Sequence, residues 1–287
     1  MTAGETVRGL LELTRPVNVA ASSVLTFIGA FVAGGVTGDP LAVAAAVAAT
    51  GLAVGAGNAI NDYFDREIDR VNQPGRAIPR GAVSPRGALG FSVVLFVGAV
   101  TFALTLPRLA LAIAGINLLA LVAYTEVFKG LPGLGNALVA YLVGSTFLFG
   151  AAAVGGAGEL VPAIVLFVLA AVATLTREIV KDVEDIEGDR EEGLNTLPIA
   201  IGQRRALAVA AVLLVAAVVA SPLPYVRGYF GVAYLLVVAP ADAVMLAAAY
   251  ESFRDPTAGQ SRLKYGMFLA ALAFIVGRAA LEFPAVG

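Results

Sequence analysis

Two short acidic stretches carry most of the residues in this chain that can do chemistry. The first, Asn58 to Arg70, reads NAINDYFDREIDR and closes an apolar run from Leu41 to Ile60. On an α-helix Asn61, Asp65 and Asp69 recur every fourth residue and Asp62 lies beside that row, so their oxygens share one face. A face with that many hard oxygens suits Mg²⁺. The second stretch, Arg177 to Arg190, reads REIVKDVEDIEGDR, and its Asp182, Asp185 and Asp189 repeat the spacing of Asp62, Asp65 and Asp69. Pro79, Gly81 and Arg86 precede one apolar run much as Pro198, Gly202 and Arg205 precede another. A helix, polar loop, helix unit is thus used twice.

Two carboxylates ~4 Å apart repel by ~4 kcal/mol at an effective dielectric near 20, so clustered acids must be solvated apart or neutralised by cations. Solvation explains either stretch alone, because helix ends are often charged. It does not explain the same D-x-x-D-x-x-x-D spacing at two helix exits, which points to a shared divalent-metal site. Mg²⁺ is typically held by a few carboxylates together with phosphate oxygens, so a diphosphate or polyphosphate is the natural third party. An apolar bundle beneath such a site suggests a lipid tail, and the two together describe an isoprenoid diphosphate.

The elements that must position these acids are membrane spans. The chain has 287 residues, is 59% hydrophobic and only 14% charged, with a mean hydropathy of +0.87. An all-α polytopic membrane protein is expected, one integral domain over residues 1–287. Without His or Cys there is no thiol nucleophile, disulfide, His/Cys zinc site or Ser-His-Asp triad. A net charge of -2 and no extended basic stretch argue against nucleic acid as a partner, and nothing indicates an obligate protein partner. Nine spans are expected, at about Val17–Val36, Leu41–Asp69, Ala88–Leu106, Leu109–Phe128, Leu134–Val154, Leu160–Glu187, Ala206–Ala220, Tyr229–Tyr250 and Tyr265–Leu281. Met1 to Arg15 reads as a short polar lead-in; Glu5 and Glu12 speak against a cleaved signal peptide. Val71–Gly87 and Gly188–Arg205 read as polar loops after the second and sixth spans. With nine spans, every Lys and Arg except Arg108, Arg227 and Arg278 falls on the side of the N-terminus. That side, with both acidic clusters, is expected to be cytoplasmic in a multi-pass cell-membrane protein, and the repeat to be parallel.

Read singly, other polar residues have plain explanations. Asn18 suits a helix–helix hydrogen bond, Tyr124 an interfacial anchor and Lys129 the positive-inside bias. Asp242, alone inside an apolar run with Pro240 near it, is either functional or a partner for interrupted backbone. Repeated acidic helices also suit a divalent-cation or secondary transporter, although transporter sites usually lie at the midplane and these acids lie at helix ends.

Taken together, N-D-x-x-D-x-x-x-D at Asn61–Asp69, RAIPRG at Arg76–Gly81, Tyr124 with Lys129, and D-x-x-x-D at Asp185–Asp189 resemble the UbiA superfamily of intramembrane prenyltransferases. The resemblance covers nearly the whole chain. DYFDREIDR, REIVKDVEDIEGDR and NTLPI are most similar to the archaeal members that build ether lipids. Chlorophyll-forming members typically have Asn-Asp-Phe-Lys where this chain has Lys181-Asp182-Val183-Glu184, and Tyr124 and Lys129 stand five apart where many members place them four apart. The resemblance implies Mg²⁺-dependent transfer of a geranylgeranyl group from geranylgeranyl diphosphate to the free hydroxyl of geranylgeranylglyceryl phosphate, among membrane lipids. Another acceptor, such as chlorophyllide, an aromatic acid or a quinone precursor, is the alternative. It further implies one Mg²⁺ on Asn61, Asp65 and Asp69 and another on Asp185 and Asp189, with Asp62 and Asp182 adding oxygens. Lys129, Arg76 and Lys181 would assist the leaving diphosphate, and Tyr124 would bind diphosphate or steady the allylic cation. Arg80, Arg190 and Asn18 are the remaining substrate-binding candidates.

Overall fold

The computed structural model describes residues 3–124, 128, 130–155 and 160–283, and among them the regular structure is all helical. In chain order the helices are α1 (Ala3–Thr14), α2 (Pro16–Val32), α3 (Gly35–Gly38), α4 (Pro40–Phe64), α5 (Arg66–Asn72), α6 (Pro85–Ala103), α7 (Arg108–Ala123), α8 (Leu134–Val154), α9 (Leu160–Glu184), α10 (Ile186–Glu191), α11 (Leu197–Ile201), α12 (Gln203–Ala220), α13 (Leu223–Val226), α14 (Val232–Glu251) and α15 (Pro256–Glu282). Three of the long ones start by one device. Asp39, Ser84 and Asp255 each accept a hydrogen bond from the backbone N–H three residues on, and each is followed by a proline in the first turn.

Seven segments of the described residues are long and apolar enough to cross a bilayer: α4, α6, α8, α9, Gln203–Val226, α14 and α15. The other two expected spans look different. The first, expected at Val17–Val36, ends at Val32, where Gly34 takes φ 79° and leads into the single turn α3. It qualifies only together with α1, the two meeting at a 48° bend. The fourth, expected to reach Phe128, is the shorter apolar helix α7, which ends at Ala123.

The lead-in expected to be merely polar is the helix α1, and its apolar side explains why it forms. Leu13 is buried with Ala59 of α4, with Ala77, Ile78 and Val83 of the first loop, and with Ala88 of α6. The loop is therefore fastened to the bundle by its own apolar residues. At the corner between α1 and α2, Pro16 disfavours right-handed helical backbone at Arg15, which adopts φ 51° and ψ 73°. Arg15 is the one non-glycine residue at positive φ among the described residues, a conformation costing about 1–2 kcal/mol. The Asn58 side chain steadies the corner by donating to the Thr14 carbonyl at 2.8 Å.

Helices α2 and α8 approach so closely at Gly29 and Gly150 that no side chain fits between their backbones there. A Cβ on Gly29 would collide with the backbone of Phe147, and a Cβ on Gly150 with the backbone of Thr26. Small residues let spans approach this closely where no hydrophobic force drives them together. Toward their C-terminal ends Gly35, just past α2, lies against Val154 of α8, so the two helices run parallel. Their N-terminal ends accordingly lie at one end of the bundle. A buried hydrogen bond of 2.9 Å between the Thr26 and Thr50 hydroxyls ties α2 to α4. Away from the acidic end, Phe147, Phe230, Tyr234 and Phe274 pack with Ile28 and Leu166 into an aromatic core.

Candidate active site

Both acidic stretches leave the bundle through the same backbone form, which helical spacing alone does not reveal. The expected continuous helix to Asp69 breaks at Asp65 (φ -80°, ψ 0°), and the one expected to reach Glu187 breaks at Asp185 (φ -89°, ψ 6°). These angles lie at the edge of the helical region, where a turn can change direction and still keep its hydrogen bonds. Asp65 N–H donates to Asn61 and Asp69 N–H to Asp65, at 2.8 and 2.9 Å. Asp185 N–H donates to Lys181 and Asp189 N–H to Asp185, at 2.9 and 3.0 Å. The middle acid of each motif is therefore the hinge between a long span and a short helix, and the repeat extends from side-chain spacing to backbone.

In the first cluster the acids divide into two kinds. Asp62 and Asp69 are buried, whereas Asn61 and Asp65 are exposed. Arg15 Nη2 lies 2.7 Å from Asp62 Oδ1, and Arg76 Nη1 lies 2.6 Å from Asp69 Oδ2 and 3.6 Å from Asp62 Oδ1. Buried carboxylates need such partners, because removing an unpaired charge from water costs several kcal/mol (roughly). Gln73 also accepts from Arg76 Nε at 3.1 Å. Arg80, in the same loop, is turned the other way: it pairs with Glu12 of α1, donates to the Gly75 carbonyl at 2.7 Å, and lines a cleft of about 470 Å³ with Glu5 and Arg8. Asn18 is exposed one turn into α2.

In the second cluster the partners are fewer. Asn136, buried at the start of α8, donates to Asp182 Oδ2 at 2.8 Å. Lys181 Nζ is 3.2 Å from Asp185 Oδ2, and both side chains are open to solvent. Asp189, in α10, is held above the ordinary carboxylate range chiefly by burial, with the Asp185 charge adding to it. Tyr124, just past α7, lies within electrostatic reach of Glu178, Lys181, Asp182 and Asp189. Arg190 is exposed, and Lys129 lies outside the described residues. Because Arg15 and Asn136 stand at the N-terminal ends of the parallel pair α2 and α8, the two clusters share one end of the bundle.

The model of the UbiA prenyltransferase family matches residues 22–272. The chain belongs to that family. It is 66% identical to the digeranylgeranylglyceryl phosphate synthase of Natronomonas pharaonis over 96% of this chain and 99% of that one, and 47% identical to that of Methanopyrus kandleri over 94% and 98%. A solved structure described as giving insight into digeranylgeranylglyceryl phosphate synthase in membranes superposes with TM-score 0.79 at 37% identity, covering 96% of this chain and 99% of that chain. A UbiA homologue from Archaeoglobus fulgidus, solved with DMAPP and Mg²⁺, shares the fold at TM-score 0.70 and 20% identity, over 96% and 99% of the two chains. Membership in UbiA makes the chain a prenyltransferase, and the transporter reading falls away.

The donor set of this UbiA member fits a hard divalent cation in one particular manner. Among the described residues no three acids are gathered into a cage around a point. Each cluster instead offers exposed oxygens, those of Asn61 and Asp65 in one and of Asp185, whose Oδ2 also meets Lys181, in the other, beside acids held by neighbours. Mg²⁺ is commonly bound through one or two carboxylates plus phosphates, so this supply suits a cation that arrives with a diphosphate. Sequence reasoning assigned no role at this site to Arg15, Asn136 or Glu178. Arg15 and Asn136 lie 47 and 46 residues from the acids they hold, and no local pattern connects them. Glu178 was legible in principle, standing one helical turn before Asp182.

Proposed function

We propose that this chain transfers a geranylgeranyl group from geranylgeranyl diphosphate to the free hydroxyl of geranylgeranylglyceryl phosphate, forming the second ether bond of archaeal membrane lipids. The observation that carries this reading is the 66% identity, across essentially the full length, to a digeranylgeranylglyceryl phosphate synthase. Two acid-bearing hinges at one end of an apolar bundle are the geometry such a reaction needs. In the bilayer the bundle would form nine spans, α1 with α2 making the first and α7 the fourth. The N-terminus and both clusters would face the cytoplasm, because all the basic residues but Arg108, Arg227 and Arg278 then lie on that side.

The roles follow from charge and position. Asn61, Asp65 and Asp69 would hold one Mg²⁺ and Asp185 and Asp189 another, with Asp62 and Asp182 contributing or orienting oxygens. When bound, Mg²⁺ supplies Lewis acidity that neutralises diphosphate and eases its departure. Arg76, Lys181 and Lys129 would donate charge-assisted hydrogen bonds to the diphosphate oxygens. Tyr124, close to the second cluster, would bond diphosphate or turn its ring toward the allylic cation. The exposed Arg190 and Asn18 would meet the acceptor, whose phosphate is anionic, whereas Arg80 is engaged by Glu12 on the far side of the loop; the apolar helix faces would take the prenyl chains.

The test is mass spectrometry of lipids after purified protein is incubated with geranylgeranyl diphosphate and geranylgeranylglyceryl phosphate, with Mg²⁺ or with EDTA. A Mg²⁺-dependent gain of one geranylgeranyl group on the glyceryl phosphate is expected. Consumption of donor only with chlorophyllide or an aromatic acid would remove the proposed acceptor.

A further inference from the structure

The two halves of the molecule are related by a regular shift. Gly29 meets Phe147 while Gly150 meets Thr26, a reciprocal contact between α2 and α8. Gly29 and Gly150, Thr26 and Phe147, and Arg15 and Asn136 are each 121 positions apart, and Asp62 and Asp182 are 120 apart. Corresponding residues at the starts of α2 and α8 thus hold corresponding acids at the ends of α4 and α9: Arg15 reaches Asp62 at 2.7 Å, and Asn136 reaches Asp182 at 2.8 Å. The arrangement is repeated, but its chemistry is not. One acid faces a fixed positive charge and the other a neutral amide.

We propose that Arg15 is a positioning residue which, with Arg76, fixes Asp62 as an ionic anchor, so that the second repeat lends its first acid, Asp182, to the metal and the first repeat does not. This rests on the metal-dependent reading above. Asp62 Oδ1 is shared by two guanidinium groups, at 2.7 and 3.6 Å, and Arg76 continues to Asp69 at 2.6 Å. Asp62 meets two guanidinium groups where Asp69 meets Arg76 alone, so the repulsion toward an arriving cation is greater at Asp62. A cation approaching Asp62 would meet two guanidinium groups already gathered at Oδ1 of a buried carboxylate, and Coulomb repulsion from both opposes its binding there. Asp182 is oriented by the neutral Asn136, which adds no competing positive charge, and this is how an outer amide serves an acid that binds a metal. The backbone gives Arg15 a second mark. Its left-handed conformation persists only because the surroundings fix it, and such strain gathers where a side chain must be aimed. The corner aims this one across 47 residues of sequence at the end of α4, the segment from which Asn61 and Asp65 project.

The experiment uses the full chain in detergent micelles, with Mn²⁺ and inorganic diphosphate as probe and bound Mn²⁺ read by electron paramagnetic resonance. Asp182→Asn should weaken Mn²⁺ binding at least about tenfold and Asp62→Asn less than about threefold. Equal losses would overturn the proposal. Arg15→Gln should lower kcat with Mn²⁺ affinity kept, and Arg15→Lys should restore it, since the contact to Asp62 uses a single nitrogen; failure of that rescue counts against positioning. A thermal-unfolding cycle in EDTA with Arg15→Gln, Asp62→Asn and the double variant is independent of metal. The double variant should melt no lower than the worse single one, and additive losses would overturn the anchor. If wild type binds no Mn²⁺ in the presence of diphosphate, the metal-dependent reading fails, and the asymmetry with it. The EDTA cycle still decides the Arg15–Asp62 anchor separately.

Discussion

Replacing Arg76 with Ala should destabilise this protein far more than the same change at Arg80, although both are loop arginines paired with acids. Arg76 is 27% exposed, and its partners Asp69 and Asp62 are 7% and 8% exposed. At separations of 2.6 and 3.6 Å and an effective dielectric near 20, the two attractions are about 6 and 5 kcal/mol before desolvation is counted. Most of that gain offsets the cost of burying the three charges. What the substitution exposes is the uncompensated part: two buried carboxylates lose their shared cation, and breaking one buried pair in this way typically costs about 3–5 kcal/mol. Arg80 and Glu12 are each more than a third exposed, and water and salt screen a pair of that kind so that it contributes little to stability. Chemical denaturation in detergent micelles, followed by circular dichroism in EDTA, should therefore separate Arg76→Ala from Arg80→Ala by about 2 kcal/mol or more. Equal stabilities would refute the view that Arg76 holds the end of α4 to its loop.

Three further outcomes are expected. Asp65→Ala or Asp185→Ala should abolish transfer while moving stability by no more than about 0.5 kcal/mol, because both side chains are exposed; near-normal turnover in the lipid assay would exclude the two-cluster site. Asn61→Ala should raise the Mg²⁺ concentration needed for half-maximal rate, and an unchanged titration would make Asn61 structural. Gly150→Ala should cost about 1–3 kcal/mol or more, since the added methyl meets the backbone of Thr26, while Gly90→Ala, with nothing near its Cβ, should not lower the unfolding temperature.

Much of the candidate site was legible because its residues are local in sequence. The acids, their repeated spacing and the Pro- and Gly-rich loops that follow them all lie within a few turns of one another, and the apolar runs set most of the spans. Periodicity does not reveal where a helix hinges, since the N–H to C=O pattern at Asp65 and Asp185 survives the break. Nor does it show which acids are neutralised: Asp62 and Asp65 are alike in spacing, and only tertiary contacts make one buried and the other exposed. Those contacts depend on α2 and α8 being seated between the halves, through Gly29 and Gly150, which in sequence are unremarkable glycines in apolar runs. The helix α1 was missed for a related reason. Its polar composition masks an apolar side whose burial depends on the loop that packs over Leu13.

The reciprocal crossing of α2 and α8 has the form of an isologous dimer interface, the same patch used by both partners, here carried by one polypeptide. Two identical subunits meeting in this way would have to change both copies of any residue together, so a mutation useful on one side would be imposed on the other. Joined in a single chain, the copies are released from that obligation while the shared glycines keep them in register. A guanidinium can then stand where its counterpart has an amide. The consequence is an acidic end that is symmetric in architecture and free to be asymmetric in charge, as the proposed reaction between two unlike lipid substrates requires.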